Sequence, residues 1–279
     1  MRQHDRYETQ GWSAERWMWQ ALHEGDLNDV KQVFADRKPN PDCAEKYDGD
    51  TPLGFAIRNG DIALVQLLIA EGAEVTRPMG YQQFTPLHVA ADKGDTAIVN
   101  LLLKCCADAN SRTRYGETPT HRAAWGGHNK ALAALLTAKG NVDAQNDMMQ
   151  TPMHCAISSN KPETVKILLE WNADITLTDL DGQDAKTFAT KLQDMLMTGE
   201  NPQLTHLQFM EHARNIDKIH EYLDHADTVH DCTNIEHMKG AFNKGAKRGV
   251  SAMKPLNLKP ANDTAADPKK PPKTGFTRQ

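Results

Sequence analysis

Thr85-Pro86-Leu87-His88-Val89-Ala90-Ala91-Asp92-Lys93-Gly94 has three siblings in the chain: Thr51-Pro52-Leu53-Gly54-Phe55-Ala56, Thr118-Pro119-Thr120-His121-Arg122-Ala123 and Thr151-Pro152-Met153-His154-Cys155-Ala156. The four Thr-Pro pairs stand 34, 33 and 33 residues apart. Self-similarity at such a period marks a solenoid, in which one supersecondary unit is stacked and each copy buries its apolar face against its neighbours. Each Thr is placed to cap a helix, its hydroxyl accepting an orphan backbone N–H. Each Pro sits at the first helical position, where no N–H is missed. Nine residues after the Thr come Gly60, Gly94, Gly127 and, in the same column, Asn160. These residue types tolerate the left-handed conformation that ends a helix, so the first helix of each unit is short.

A second apolar run follows in every copy: Leu64-Val65-Gln66-Leu67-Leu68, Ile98-Val99-Asn100-Leu101-Leu102-Leu103, Leu132 to Leu136, and Val165-Lys166-Ile167-Leu168-Leu169. Each predicts the second helix of a pair. With the signature T-P-L-H-x-A at a 33-residue period in four consecutive copies, the chain resembles the ankyrin-repeat family. The resemblance covers residues 13–197 and implies an all-α ankyrin-repeat solenoid, helix-turn-helix units joined by hairpin fingers. A C-terminal helix and an extended basic tail complete the expected architecture.

Residues 1–12 read as an N-terminal extension. Ser13 is placed as an N-cap, and Trp17, Met18, Ala21 and Leu22 share one side of the helix after it before Gly25 closes it. A second run, Leu27, Val30, Val33 and Phe34, completes a helix pair without Thr-Pro, as suits a capping unit over 13–45. The tryptophans here are read as sealing the cap, but Trp17 and Trp19 cannot both face inward on one helix, so one of them is expected to be available to a partner. Four full units follow at about 46–79, 80–112, 113–145 and 146–178. Their second helices should end in Gly, yet only Gly72 keeps it, with Cys106, Lys139 and Asn172 in that column. A non-Gly residue held left-handed costs on the order of 1 kcal/mol. Residues 179–197 keep the register, Ala189 lying 33 after Ala156, and read as a terminal cap whose first helix runs on to Met197. After the break Thr198-Gly199-Glu200-Asn201-Pro202, residues 198–238 form an amphipathic helical segment. Its helix, from Leu204 to Leu223, is expected to dock on the last repeat. Residues 239–279 are a basic tail too poor in apolar residues to order itself unless bound.

The chain has 279 residues and a formal charge of −5, but residues 239–279 hold ten Lys or Arg against two Asp, which leaves about −13 on the rest. An acidic body carries a basic tail. Five cysteines without a C-x-x-C pair argue against a disulfide framework and a structural zinc module, and fit a reducing, intracellular compartment. With no apolar leader and no run of about 18 apolar residues, a soluble protein is expected. The cytoplasm is the first expectation, with cytoskeletal association or the nucleus as alternatives.

His88, His121 and His154 stand three residues after the Thr in three of the four units, on layers about 10 Å apart, too far to share one metal at about 2 Å per bond. The resemblance implies a structural role for them, tying hydroxyl and backbone groups between neighbours. Half of the twelve histidines lie in 206–237, where His220 and Asp224 have i,i+4 spacing but no H-E-x-x-H occurs. No Gly-rich phosphate loop or G-x-S-x-G elbow is present either. The expectation is therefore no enzyme, no cofactor and no metal.

A surface for protein partners remains. By resemblance, the finger before each Thr-Pro and the two positions after the Ala pair of helix one read the partner. Those columns hold Tyr47, Met79, Tyr81, Phe84, Tyr115, Met148 and Met149 on the fingers. On the helices they hold Arg58, Asn59, Asp92, Lys93, Trp125, Gly126, Ser158 and Ser159. Trp, Tyr and Arg dominate binding hot spots, and Met gives adaptable contact area. Trp125 is the first candidate, Gly126 beside it leaving room on the concave side; the alternative is that its indole packs on a neighbouring helix. The finger Arg77-Pro78-Met79-Gly80-Tyr81 is one residue longer than the others. The expected function is a non-enzymatic adaptor or scaffold that binds a protein through the concave face and fingers, while the tail meets an acidic protein surface or filament. Sequence-specific nucleic-acid reading and membrane insertion are not expected. The rival readings are a structural subunit of a large cytoskeletal, axonemal or organelle assembly, and a regulatory inhibitor of an enzyme or transcription factor.

Overall fold

The computed structural model of the chain describes residues 13–45, 49–198 and 206–230. Trp12, Tyr47, His237 and the basic tail lie outside them, and with them the readings made of those residues. Twelve helices and no strand make up the described residues. Two open the array, α1 (Ala14–Glu24) and α2 (Leu27–Arg37). Four pairs follow: α3 (Pro52–Asn59) with α4 (Ile62–Ala70), α5 (Pro86–Lys93) with α6 (Thr96–Lys104), α7 (Pro119–Gly126) with α8 (Asn129–Thr137), and α9 (Pro152–Ser158) with α10 (Pro162–Glu170). The long helices α11 (Ala185–Met197) and α12 (His206–His230) end it.

The Thr-Pro pairs start helices as their chemistry requires. Thr51 Oγ1 accepts the N–H of Gly54 at 3.1 Å, and Thr85, Thr118 and Thr151 form capping boxes with the His three residues on. Gly60, Gly94 and Gly127 end the first helices in the left-handed region, and Asn160 does the same at φ 56°. Cys106, Lys139 and Asn172 hold φ of 63°, 64° and 57° after the second helices, where Gly72 stands in the first repeat. The later repeats therefore adopt the strained geometry rather than a different loop.

Successive first helices α3, α5, α7, α9 and α11 stack in one layer and second helices α2, α4, α6, α8 and α10 in another. The seam between layers is filled from both: Leu53, Ile57, Leu87, Leu102, Leu132, Leu135, Ile157 and Leu168 are all fully buried. Small residues make the close stacking possible, Ala90-Ala91 and Ala123-Ala124 being fully buried where α5 meets α7. At the N-terminal end Trp17 is buried with the Arg37 guanidinium over its ring, while Trp19 packs edge-on against Phe55 beside His23. Both tryptophans thus pack into the cap, which corrects the expectation that one of them stays open to a partner. At the other end α12 lies on α10 and α11 and buries Ile216, Ile219, Leu223 and Ala226. It extends beyond Leu223 to His230, and Lys186 Nζ meets Asp224 Oδ1 at 2.6 Å across the α11–α12 contact.

Candidate protein-binding surface

The fingers are tied to one another through their backbones. Arg114 N–H donates to the carbonyl of Gln82 at 2.9 Å, Asp147 N–H to that of Tyr115 at 3.0 Å, and Leu180 N–H to that of Met148 at 3.1 Å. These rungs place equivalent positions of four fingers side by side. Each of the three five-residue fingers is also held from within by a buried polar side chain. Thr113 Oγ1 accepts from Tyr115 and Glu117, Asn146 Oδ1 from Met148 and Gln150, and Asp179 Oδ1 from Asp181 and Gln183. The longer finger has no such group and closes instead by a two-bond bridge between Met79 and Phe84, at 2.7 and 3.1 Å.

The cores between fingers and helices are set by the three histidines. Nδ1 of His88, His121 and His154 accepts from the Thr that caps its own helix. Nε2 donates to the carbonyl of Glu117, Gln150 or Gln183 in the following finger at 2.9–3.0 Å. Burial pushes His88 and His121 down to about 4 and lowers His154 as well, since a charged ring is disfavoured there and Nδ1 faces a donor. The structural role implied by the resemblance is the one these contacts perform.

On this scaffold Tyr81, Tyr115, Met148 and Trp125 are exposed, at 71, 48, 57 and 50%. Lys93 and Met149 are exposed with them. Arg58 is engaged: its Nη1 binds the buried Asp50 carboxylate at 2.5 Å. Asp92 accepts from Arg122 Nη2 at 2.6 Å and from its Nε at 3.1 Å, and so bridges α5 to α7.

Two readings are corrected. Met79 is not a partner contact, because its side chain is 2% exposed and its sulfur accepts the Thr51 hydroxyl at 2.8 Å. The first repeat has Gly54 where the others have His, and Met79 fills the vacated space: a Cβ on Gly54 would stand 2.4 Å from its sulfur. The space beside Gly126 is not open either. The His128 ring occupies it, Cδ2 lying 2.3 Å from where a Cβ would be built.

Three residues of this face escaped the sequence reading. Arg122 lies between Asp92 and Glu117 with its guanidinium over Phe84, 5.2 Å from the ring centroid. Arg114 lies over Tyr81 at 4.3 Å. Leu180, 63% exposed, is the last finger's counterpart of Asp147. The 33-residue register carried one unit further from Asp147 points to it.

In α12, His212 and His225 donate Nδ1–H to the carbonyls four residues earlier, at 2.8 and 2.6 Å. Among the described residues no three His, Cys, Asp or Glu converge to hold a metal ion, and no helix is long and apolar enough to cross a membrane. Burial raises the Cys155 thiol to about 12, far from a reactive thiolate.

The chain is 32% identical to dog inversin over 172 residues, 61% of this chain and 16% of that protein. It is 33% identical to human B-cell lymphoma 3 protein over 140 residues, 48% of this chain and 31% of that one. With human Rabankyrin-5 it shares 35% over 82 residues, 29% and 7% of the two chains. The similarity therefore spans only a minor part of each of these relatives. The family model of ankyrin repeats in three copies matches residues 17–113 and 93–179, more than half of the chain. Those matches cover the four Thr-Pro units, their inter-repeat histidines and the second helices between them, and the chain belongs to the ankyrin-repeat family.

Proposed function

We propose that the chain is a non-enzymatic adaptor that binds a protein partner through its fingers and the first-helix face. The single observation that supports this most is the exposed row Tyr81, Tyr115, Met148 and Leu180, set on consecutive hydrogen-bonded fingers, with Trp125 on α7. Isolated exposed apolar side chains are ordinary, whereas a row of them on successive fingers of a rigid scaffold is the anatomy of an interface. Ankyrin repeats are protein–protein interaction modules, which fits this reading. Trp125 stands in the last turn of α7, so the helix fixes its backbone and presents a large aromatic of the kind that dominates binding hot spots.

The test is affinity purification of the tagged chain from its native cells, comparing wild type, Trp125→Ala and a truncation after Gly240. Loss of one defined partner in Trp125→Ala, with an unchanged circular dichroism spectrum, supports the adaptor reading. If Trp125→Ala keeps every partner while the truncation leaves a large salt-resistant assembly, the chain is a structural subunit instead.

A further inference from the structure

We propose that the fingers read an acidic segment of the partner flanked by bulky apolar residues, with Arg114 binding its carboxylate. This rests on the adaptor reading above and names the chemistry of the ligand. Three nearby arginines are committed. Arg58 holds Asp50, Arg122 is shared by Asp92 and Glu117, and Arg112 Nη1 donates to the carbonyls of Gly116 and Gln145 at 3.3 and 2.9 Å. Arg114 is exposed and has no carboxylate within ion-pair distance among the described residues. Its backbone is fixed by the rung to Gln82, and its guanidinium rests on the Tyr81 ring. A stacked guanidinium loses little freedom on binding, and its N–H edge matches a carboxylate bidentately.

The surroundings say what accompanies that carboxylate. Tyr115 follows Arg114 directly, and Met148 and Leu180 project from the next two fingers. With repeats about 10 Å apart, the row from Tyr81 to Leu180 is about 30 Å long. An extended segment covers that in about nine residues at 3.3 Å each. Asp147 occupies the column of Arg114 one finger on, so a second acid there meets like charge. The carboxylate is thus read at one finger and excluded at the next, which sets the register of the bound segment.

The experiment pans a phage library of random twelve-residue peptides on the purified full chain. The expected result is enrichment of peptides that place one Asp or Glu beside Leu, Met or Phe. Binding of a selected peptide should fall at least tenfold in Arg114→Gln and severalfold in Tyr81→Leu, which removes the ring under the guanidinium. Panning on Arg114→Glu should exchange the selected acid for Lys or Arg. Arg114 is exposed, so each variant is expected to keep the wild-type circular dichroism spectrum. Enrichment of peptides without a carboxylate, or unchanged affinity in Arg114→Gln, overturns the proposal. If such peptides still depend on Trp125 or Tyr115, the adaptor reading survives the loss of this one. If nothing is enriched while the purification from cells recovers a Trp125-dependent partner, the carboxylate reading alone fails.

Discussion

His128 donates its Nε2–H to the carbonyl oxygen of Asp92 at 2.8 Å and so fastens the end of α7 to the end of α5. The ring lies against Gly94 and Gly126, and a Cβ on either would come within 2.3 Å of it. Gly126 is helical, so the constraint there is space alone. Gly126→Ala should displace the ring, break the bond and lower stability by about 1 kcal/mol, the size of one net hydrogen bond. His128→Ala should cost a similar amount. The double variant should cost much less than the sum, a non-additivity that urea unfolding of all four proteins would measure. Additive losses would show that the ring and the glycine do not share the space.

Met79 is expected to behave as a core residue. Met79→Ala empties the space over Gly54 and should cost about 2–4 kcal/mol in urea unfolding. Tyr81→Ala, two residues on in the same finger, should cost under about 0.5 kcal/mol. Equal effects would place Met79 back on the surface.

Thr120 stands in the Leu column of its repeat, fully buried, and its hydroxyl has no hydrogen-bond partner. An unmet buried hydroxyl costs about 1–3 kcal/mol. Thr120→Val keeps the shape and removes the group, so it should raise stability by about 1 kcal/mol and raise the melting temperature. A loss of stability would mean that the hydroxyl is satisfied in solution, for example by an internal water.

Stability should fall as pH drops below about 6.5, before the carboxylates begin to titrate. His88 and His121 are held down to about 4 in the folded chain by burial, from 6.5 in the unfolded one, so the unfolded state binds more protons between those values. Their contribution is complete above pH 6.5 and is lost progressively toward pH 4, on the order of 3 kcal/mol each at the lower end. His154 shifts the same way. Urea midpoints at pH 7.5, 6 and 5 would reveal the slope. His121→Gln should flatten it relative to wild type, although its stability at pH 7.5 is lower.

Arg58→Ala is predicted to act on the fold and not cleanly on binding. It strips the guanidinium from a carboxylate that is 3% exposed, and breaking such a buried pair costs about 3–5 kcal/mol. Arg58 is about two-fifths exposed, so the loss should fall near the lower end. Unfolding shifted by less than about 1 kcal/mol would free Arg58 for a partner-binding role.

The candidate surface was partly legible. Tyr81, Tyr115, Met148 and Trp125 fall in columns that the 33-residue register marks as outward, because every repeat meets the same neighbours on either side. Met79 did not follow its column. An inserted residue and the Gly at position 54 act together across 25 residues of sequence, and neither alone says that a sulfur replaces an imidazole. Gly126 was misread for a similar reason, since the ring that fills its space comes from the loop two residues later.

By itself, the sequence determined the repeat, the helix starts and stops and the layers of the core, while the inter-repeat role of the histidines came with the family resemblance. Those features are local or periodic: a capping Thr, a Pro at the first turn and a His three residues on act within one unit, and stacking repeats the result. Tertiary structure alone decided which outward columns are free to meet a partner. Freedom depends on which side chains are paired off, within a repeat for Arg58 with Asp50 and Arg122 with Glu117, and across repeats for Arg122 with Asp92 and Arg114 with Tyr81. Side-chain reach and charge compensation in the folded array set those pairs, and no period in the sequence encodes them.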